Sequence, residues 1–387
     1  MKEEFEEARR AAIQVLLHDI HGPHGGLPRT AGWGYPEPYT RDWMIASLGI
    51  LASGNEELIE ALHGMLQALA ARQTPLGNIP SLADDSSDCG ASDTTPLFLI
   101  ALALLRKVSG RAAFLEPAAE RALSWLQYQS PDDSILVAQQ PTSDWRDEQW
   151  VWGYGLYVNT LVYACLRLYG LDQRARSLQE LMNHAGLRET SEGVRIHEGL
   201  SLPDAPYYAL WVYKVHISRR FDLLGNSLAI LFGLPGQPRA AEIIDWVETS
   251  SASLREQGWL ACDLPPCLMP FIFPGEEDWL PRYEKFNQPG QYHNGGLWPF
   301  TLGFYVAALV AGARFDLARE KFASLTRLIR PARRPELQFG FNEWFRARDC
   351  SPAGEDWQAW SAAMYLYAAE CLSLEQTPFF DVMQSTA

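Results

Sequence analysis

Residues 40–72 read TRDWMIASLGILASGNEELIEALHGMLQALAAR. Met44, Leu48 and Leu51 recur at helical spacing, and so do Leu58, Leu62, Leu66 and Leu69. Gly54-Asn55 ends the first run and the second follows at once. A link this short makes two helices antiparallel neighbours, so the stretch is a helical hairpin.

The pattern repeats outward in both directions. Phe5, Ala8, Ala12 and Val15 share one face of a first helix. Further helices are expected at 94–108, closed by Ser109-Gly110, and from Pro117, in a first turn, to Tyr128. Others follow at 155–169, 172–184, 226–233, 239–249, 299–313, 316–329 and 356–372. With the hairpin at 42–72 these make twelve, mostly in pairs with tight turns inside a pair and longer aromatic, polar segments between pairs. The expected fold is all-α: an (α/α)6 barrel of six helical hairpins, residues 1–387 forming one domain. Function should sit on the face built by the long loops. The segment 200–223 fits poorly; LWVYKVHI (210–217) reads either as a thirteenth helix or as part of a β-hairpin.

The chain has 387 residues, ample for a full hydrophobic core, and 47% of them are hydrophobic. Fourteen are Trp. Indoles stack on the apolar faces of sugar rings and donate to their hydroxyls, but they also serve ordinary cores. Net charge is −15 with a pI near 5.0, and Lys and Arg form no basic stripe. Nucleic acid and anionic membranes are therefore excluded as expected partners. The N-terminal MKEEFEEARRAAIQVLL is charged and amphipathic, unlike a signal peptide, and no stretch is long and apolar enough to span a bilayer. None of the six Cys forms a CxxC pair, and Cys165 and Cys371 sit in apolar helical patterns. Reduced thiols and a cytoplasmic protein are expected. The sequence leaves open whether the chain forms a homo-oligomer.

Polar chemistry collects in five loops. GWGYPEPYTRDW (32–43) sets Arg41 and Asp42 beside Trp33, Tyr35, Tyr39 and Trp43; Asp42 reads equally as a helix cap or as part of a sugar-binding rim. SLADDSSDCGASDTT (81–95) does not have the ligand spacing of a calcium loop, with its turn glycine and closing Glu, and Asp93 reads as a cap that also bonds substrate. TSDWRDEQWVWGYG (142–155) holds Asp144, Asp147 and Glu148 among Trp145, Trp150 and Trp152. An aromatic setting desolvates a carboxyl and raises its pKa, as a general acid requires. QYHNGGLWPF (291–300) offers Tyr292, His293, Asn294 and Trp298, with Gly295-Gly296 allowing close backbone approach. FGFNEWFRARD (339–349), with GEDWQAWSAA after it (354–363), offers Glu343, Trp344, Gln358 and Trp360. Two acids on opposite loops of one face, with aromatics between, match a glycosidase pair. No GxSxG, Walker A or GxGxxG motif opens another route. His18, His21 and His24 are the one histidine cluster, and nothing near them suggests a metal site; no metal or cofactor is expected.

YTRDW (39–43), WGYGLYVN (152–159), RFDLLGNSLAILFGL (220–234), YHNGGLWPF (292–300) and NEWF (342–345) followed by QAWSAA (358–363) occur in that order along nearly the whole chain. Together they resemble the alkaline/neutral invertase family and the wider clan of (α/α)6 glycosidases, which includes debranching-type glucosidases and hydrolases of mannosylglycerate and glucosylglycerate. The resemblance implies an inverting hydrolase of a small α-glucoside, sucrose first, with a glycosyl-glycerate as the alternative substrate. It matches the family's general acid to Asp147, with Asp144 three residues away, and its general base to Glu343. It puts Asp42 at the glucose site. Arg41, Tyr39, Trp43, Asp93, Asp144, Trp145, Trp150, Tyr292, His293, Asn294, Trp298, Trp344, Gln358 and Trp360 complete the expected substrate-binding set. The sequence departs from the family at Trp145, Glu148 and Trp150, and in having Trp344-Phe345 after Glu343. A clamp for a glycerate carboxylate would fall to Arg41, Arg146 or Arg346. From other classes, a sugar epimerase needs paired histidines and a non-catalytic carbohydrate-binding protein would need no acid pair.

Overall fold

The computed structural model describes residues 2–85, 87–130, 135–184, 187–189, 195–197 and 199–384; Ser86, part of the Asp- and Ser-rich loop, lies outside them. Helix α1 (Lys2–Asp19) leads into the hairpin of α2 (Thr40–Ser53) and α3 (Glu56–Arg72). Gly54 takes a left-handed backbone (φ 65°) and donates to the Leu51 carbonyl, which ends α2. The Asn55 side chain accepts from the amides of Glu57 and Leu58, which starts α3. Next come α4 (Thr94–Ser109) and α5 (Glu116–Tyr128). The strand β1 (Tyr154–Gly155) runs into α6 (Leu156–Leu168), followed by α7 (Asp172–Met182). Strands β2 (Leu187–Glu189), β3 (Arg195–His197), β4 (Trp211–Tyr213), β5 (His216–Ser218) and β6 (Phe221–Asp222) precede α8 (Leu223–Leu231) and α9 (Gln237–Glu256). Then come β7 (Leu268–Met269), the four-residue α10 (Tyr283–Phe286), α11 (Pro299–Ala311) and α12 (Phe315–Leu328). Strands β8 (Trp344–Phe345) and β9 (Pro352–Ala353), α13 (Ala359–Leu374) and the short α14 (Asp381–Gln384) finish the chain. The twelve expected helices are α1–α9 and α11–α13. LWVYKVHI is not a helix: β4 and β5 pair antiparallel, and β4 pairs with β1.

Two kinds of helix divide the work. All thirteen residues of α11 are buried, and α2, α4, α6, α8 and α13 are buried around most of their circumference. A helix apolar on every side has to be enclosed by others. These six pack in sequence, α2 on α4, α4 on α6, α6 on α8, α8 on α11, α11 on α13, and α13 returns to α2. The remaining long helices bury a single stripe, as α3 does with Leu58, Leu62, Met65, Leu66 and Leu69. They cover the six from outside: α3 on α2 and α4, α5 on α4, α7 on α6, α12 on α11 and α13, and α1 on α13. Among the described residues no helix is long and apolar enough to cross a membrane.

The thiols need a correction. Cys262 and Cys350 form a disulfide, their Cα atoms 6.4 Å apart, where reduced thiols were expected; Cys89, Cys165, Cys267 and Cys371 are free. The residues lie 88 apart in sequence, so spacing gave no sign that the loop after α9 folds back against the β8–β9 hairpin.

Inner helices α2 and α13 cross closely. A Cβ at Gly49 would fall on the backbone of Ala363, so the two helices approach at a distance only glycine allows. Gly49→Ala is expected to destabilise the chain by about 1–3 kcal/mol. Gly64→Ala, which faces open space on α3, should stabilise it by roughly 0.5–1 kcal/mol. Denaturant midpoints measure both, and equal midpoints for the two variants would contradict this packing.

Candidate active site

The loops entering α2, α6, α11 and α13 converge on a pocket of about 500 Å³. The first supplies Thr30, Tyr35 and Tyr39, followed by Arg41 and Asp42 in the first turn of α2, and the second supplies Trp145 and Asp147. The third supplies Tyr292 and Trp298, and the last Glu343 and Gln358, followed by Trp360 in the first turn of α13. Each loop is pinned by hydrogen bonds of its own. Thr30 Oγ1 donates to the Glu37 carbonyl and accepts from the Tyr39 amide, which curls the first loop. Leu297 and Phe345 exchange amide–carbonyl bonds of 2.9 and 2.8 Å, joining the YHNGGLWPF loop to the Glu343 loop. Asp356 accepts from the amides of Arg333 and Arg334 and from Asn342, next to Glu343.

Three carboxyl groups face this space. Glu343 is buried; the Glu355 amide donates to its Oε2 at 3.4 Å, and Gly354 (φ 68°) lies so close that a Cβ would strike the carboxyl group. Burial, then the negative charge of Asp42, pushes Glu343 up to about 8. Asp42 is buried as well, and burial pushes it up to about 7 against the pull of Arg41 and of Gln358, whose Nε2 donates to its Oδ1 at 2.9 Å. Asp147 differs: its side chain is 60% exposed at the pocket mouth. Protein packed around it still raises its pKa, with Arg41 opposing, and Glu148 and Asp144 add to the rise. Of Asp147 and Glu343, Glu343 is the strong holder of a proton. Tyr35 is pushed upward, first by the charge of Glu343 and then by burial, so its phenol keeps its hydrogen.

The walls are aromatic. Trp145 meets Trp298 edge-on at 5.2 Å, and Trp360 stacks on Phe300 at 4.1 Å. The Trp298 indole donates to the Tyr292 carbonyl at 3.0 Å. The indole nitrogens of Trp145 and Trp360 and the Gln358 Oε1 are buried without a hydrogen-bond partner. Such groups are costly to leave unpaired, and here three of them belong to pocket-lining residues.

Several expected binding residues do other work. Asp42 does not cap α2, whose N-cap is Tyr39 with no side-chain bond; it points at Gln358. Asp93 neither caps α4 nor lines the pocket: it grips Arg41 through two bonds, 2.5 Å from Nε and 3.1 Å from Nη2, and so acts on the site through that guanidinium. Asp144 is buried outside the pocket, accepting from Gln139 Nε2 at 3.0 Å and from the Arg146 amide at 2.7 Å. Arg146 is buried between Asp144 (3.2 Å) and Asp222 (2.8 Å), tying the acid-bearing loop to the start of α8. Trp43 is core, its indole donating to the Arg29 carbonyl. Asn294 staples its own loop through Ile272 and Asn287. His293 stacks on Trp298 at 5.3 Å with Nε2 3.8 Å from Asp147 Oδ1; burial, then Arg146 and Arg41, holds it well below the ordinary histidine value, so it is neutral. Trp344 packs on Tyr292 and Trp150 lines a different hollow. Thr30 was missed, since a lone Thr in an irregular segment carries no periodic signal. Among the described residues no group of three or more His, Cys, Asp and Glu side chains is arranged to hold a metal ion. His18, His21 and His24 pair separately with Asp19, Glu57 and Asp84.

A model of the family described as alkaline and neutral invertase matches residues 201–374. The chain is 30% identical over 155 residues to alkaline/neutral invertase E, chloroplastic, of Arabidopsis thaliana, covering 40% of this chain and 23% of that protein. It is 26% identical over 174 residues to neutral/alkaline invertase 3, chloroplastic, of Oryza sativa subsp. japonica, covering 44% and 27%. It thus spans about a quarter of the length of the curated relatives it matches. Its fold is similar to that of a mannosylglycerate hydrolase from Thermus thermophilus crystallised with Tris and D-glycerate, with a TM-score of 0.66 at 15% identity over 93% of this chain and 99% of that one. It is also similar to a bacterial glucoamylase complexed with acarbose, with a TM-score of 0.60 at 14% identity over 98% and 57%. The resemblance read along nearly the whole chain is narrower in the family model: Tyr292, Trp298, Glu343, Gln358 and Trp360 fall inside the matched stretch, and Arg41, Asp42 and Asp147 fall before it. The chain thus resembles the alkaline and neutral invertases through residues 201–374, and shares its fold with solved hydrolases along nearly its full length.

Proposed function

We propose that the chain is an inverting glycoside hydrolase on a single (α/α)6-barrel domain, cleaving a small α-glucoside, sucrose first, with Asp147 as general acid and Glu343 as general base. The observation that carries this reading is one aromatic pocket holding both carboxyl groups among unpaired indole donors. A sugar ring stacks its apolar face on indoles and its hydroxyls satisfy the orphan groups. Asp147 gives its proton to the glycosidic oxygen as the bond to the anomeric carbon breaks. Glu343 takes a proton from water attacking the opposite face of that carbon, which inverts its configuration. This chemistry uses no metal.

A glycosyl-glycerate is less well supported. Arg146 is enclosed by Asp144 and Asp222, and Arg346 is exposed outside the pocket, bonded to Ser351. Of the three candidate clamps only Arg41 lines the pocket, and two of its nitrogens are already held by Asp93. An epimerase would need paired histidines, and no histidine lines the pocket.

Asp147→Asn and Glu343→Gln should each lower kcat at least about a thousandfold with the fold intact. Asp144→Asn should keep activity within about tenfold yet lower Tm, because it weakens the hold on buried Arg146. A dead Asp144→Asn beside an active Asp147→Asn would reassign the acid. NMR of early product should show inverted configuration, and retention would refute the mechanism.

The pH dependence follows from the raised carboxyl groups. Catalysis needs one proton shared over the pair, on Asp147 and off Glu343. The alkaline limb of kcat/KM should fall near pH 8, where Glu343 gives up its proton. Asp42→Asn removes a negative neighbour, lowers the Glu343 pKa and should move that limb to lower pH. Stability runs the same way. Folding raises Glu343 from 4.5 to about 8 and Asp42 from 3.8 to about 7, so their contribution is intact below pH 4 and is lost as pH climbs through 7–8. Glu343→Gln should therefore raise Tm by a few degrees at pH 9 and change it little at pH 5. Calorimetry at the two pH values checks this, and an equal shift at both would contradict it.

A further inference from the structure

Two residues beyond Asp147 the chain enters a second hollow, of about 830 Å³, none of whose lining residues lines the first. Its walls come from the acid-bearing loop (Gln149, Trp150), the β4–β5 hairpin (Trp211, His216, Ser218) and Tyr283 on α10.

Three features of this hollow point to a ligand. Trp150 is 49% exposed although it is a large apolar ring. Its backbone is anchored, since the Trp150 main-chain amide donates to the Tyr283 hydroxyl at 3.0 Å. Trp211 is braced by Trp152 at 4.9 Å, on a hairpin anchored to β1 at the start of α6. An aromatic face braced as Trp211 is binds without a large ordering cost. Gln149 is buried to 2% and its Oε1 has no hydrogen-bond partner. A buried acceptor left unpaired calls for a donor. Finally, the local guanidinium is already engaged: Arg220 pairs with Asp278 at 3.0 Å and Glu276 at 2.8 Å and donates to the Pro270 and Phe271 carbonyls. That leaves it poorly placed to hold an anion. An exposed indole beside a half-buried one, the hydroxyls of Ser218 and Tyr283, the Glu277 carboxylate as a further acceptor and a paired cation suit a neutral ring with one apolar face and a rim of hydroxyl donors.

We propose that this hollow is a second binding site for a neutral saccharide, separate from the pocket of Asp147 and Glu343. The ligand class is read from the hollow itself and does not depend on the hydrolase reading.

The test is NMR of the indole N–H groups in the full chain carrying Glu343→Gln, which prevents turnover, titrated with maltotetraose. Signals are assigned by Trp→Phe substitution. The Trp150 and Trp211 signals should move along one saturable isotherm, with Kd on the order of 1–10 mM, distinct from any isotherm of Trp145 and Trp360. Trp150→Ala and, on a different element, His216→Ala should each weaken the first isotherm by about two- to tenfold or more and leave the second in place. Trp150 and Trp211 signals that stay still up to about 50 mM overturn the proposal. So does sedimentation showing that Trp150→Ala turns a dimer into a monomer, which would make the hollow an interface between copies. Absence of sugar release by the parent chain would count against the hydrolase reading alone, because the Trp150 and Trp211 signals are read without turnover.

Discussion

Six helices of this chain have almost no polar face to turn toward water. Enclosing α11, buried along its whole length, obliges α8 and α13 to flank it, and the same demand passes from neighbour to neighbour until α13 meets α2. The outer helices need bury only a stripe, so they can be half charged. Because outer and inner helices alternate along the chain, the segments entering α2, α6, α11 and α13 reach the same pocket. That pocket follows from where apolar helices must go, and its chemistry is decided by the residues their entry loops carry.

Placing polar loops over an apolar interior buries charge. Two guanidinium groups meet that problem. Arg41 is bound by Asp93, and Arg146 by Asp144 and Asp222. A buried pair of this kind adds little net stability, but breaking one leaves a charge with no partner, so the geometry is stiffly held. Arg146 in this way fixes the loop that carries Asp147, and Asp93 fixes the guanidinium that faces Asp147 and Asp42. Among the described residues no such cation is bonded to Asp42 or Glu343. Burial drives both upward, and their mutual repulsion adds to it. The site is held in a state that costs stability at alkaline pH.

The parts of the fold that local chemistry controls were legible in sequence. Gly54-Asn55 ends one helix and starts the next through bonds made within a few residues, and the Leu spacing of α3 is the spacing of its buried stripe. The β4–β5 hairpin was ambiguous because a short apolar run fits either period; pairing with β1, over fifty residues earlier, decided it. The disulfide between Cys262 and Cys350 was out of reach for the same reason.

The sequence by itself determined the helix pairs, the five polar loops, and the nomination of Asp147, Glu343 and Asp42 as acids in aromatic surroundings. Only the tertiary structure decided which residues of each loop face the pocket. Asp93 and Asp144 look like ligands in the chain and are counter-ions in the fold, because a buried guanidinium reached each of them. Trp43 and Trp150 stand in segments with the same aromatic character as those of Trp145 and Trp360, yet one is core and the other belongs to a different hollow. Composition fixes what a loop can offer. Which atoms are left without a partner depends on contacts made across the whole length of the chain, as between Asp42 and Gln358, 316 residues apart.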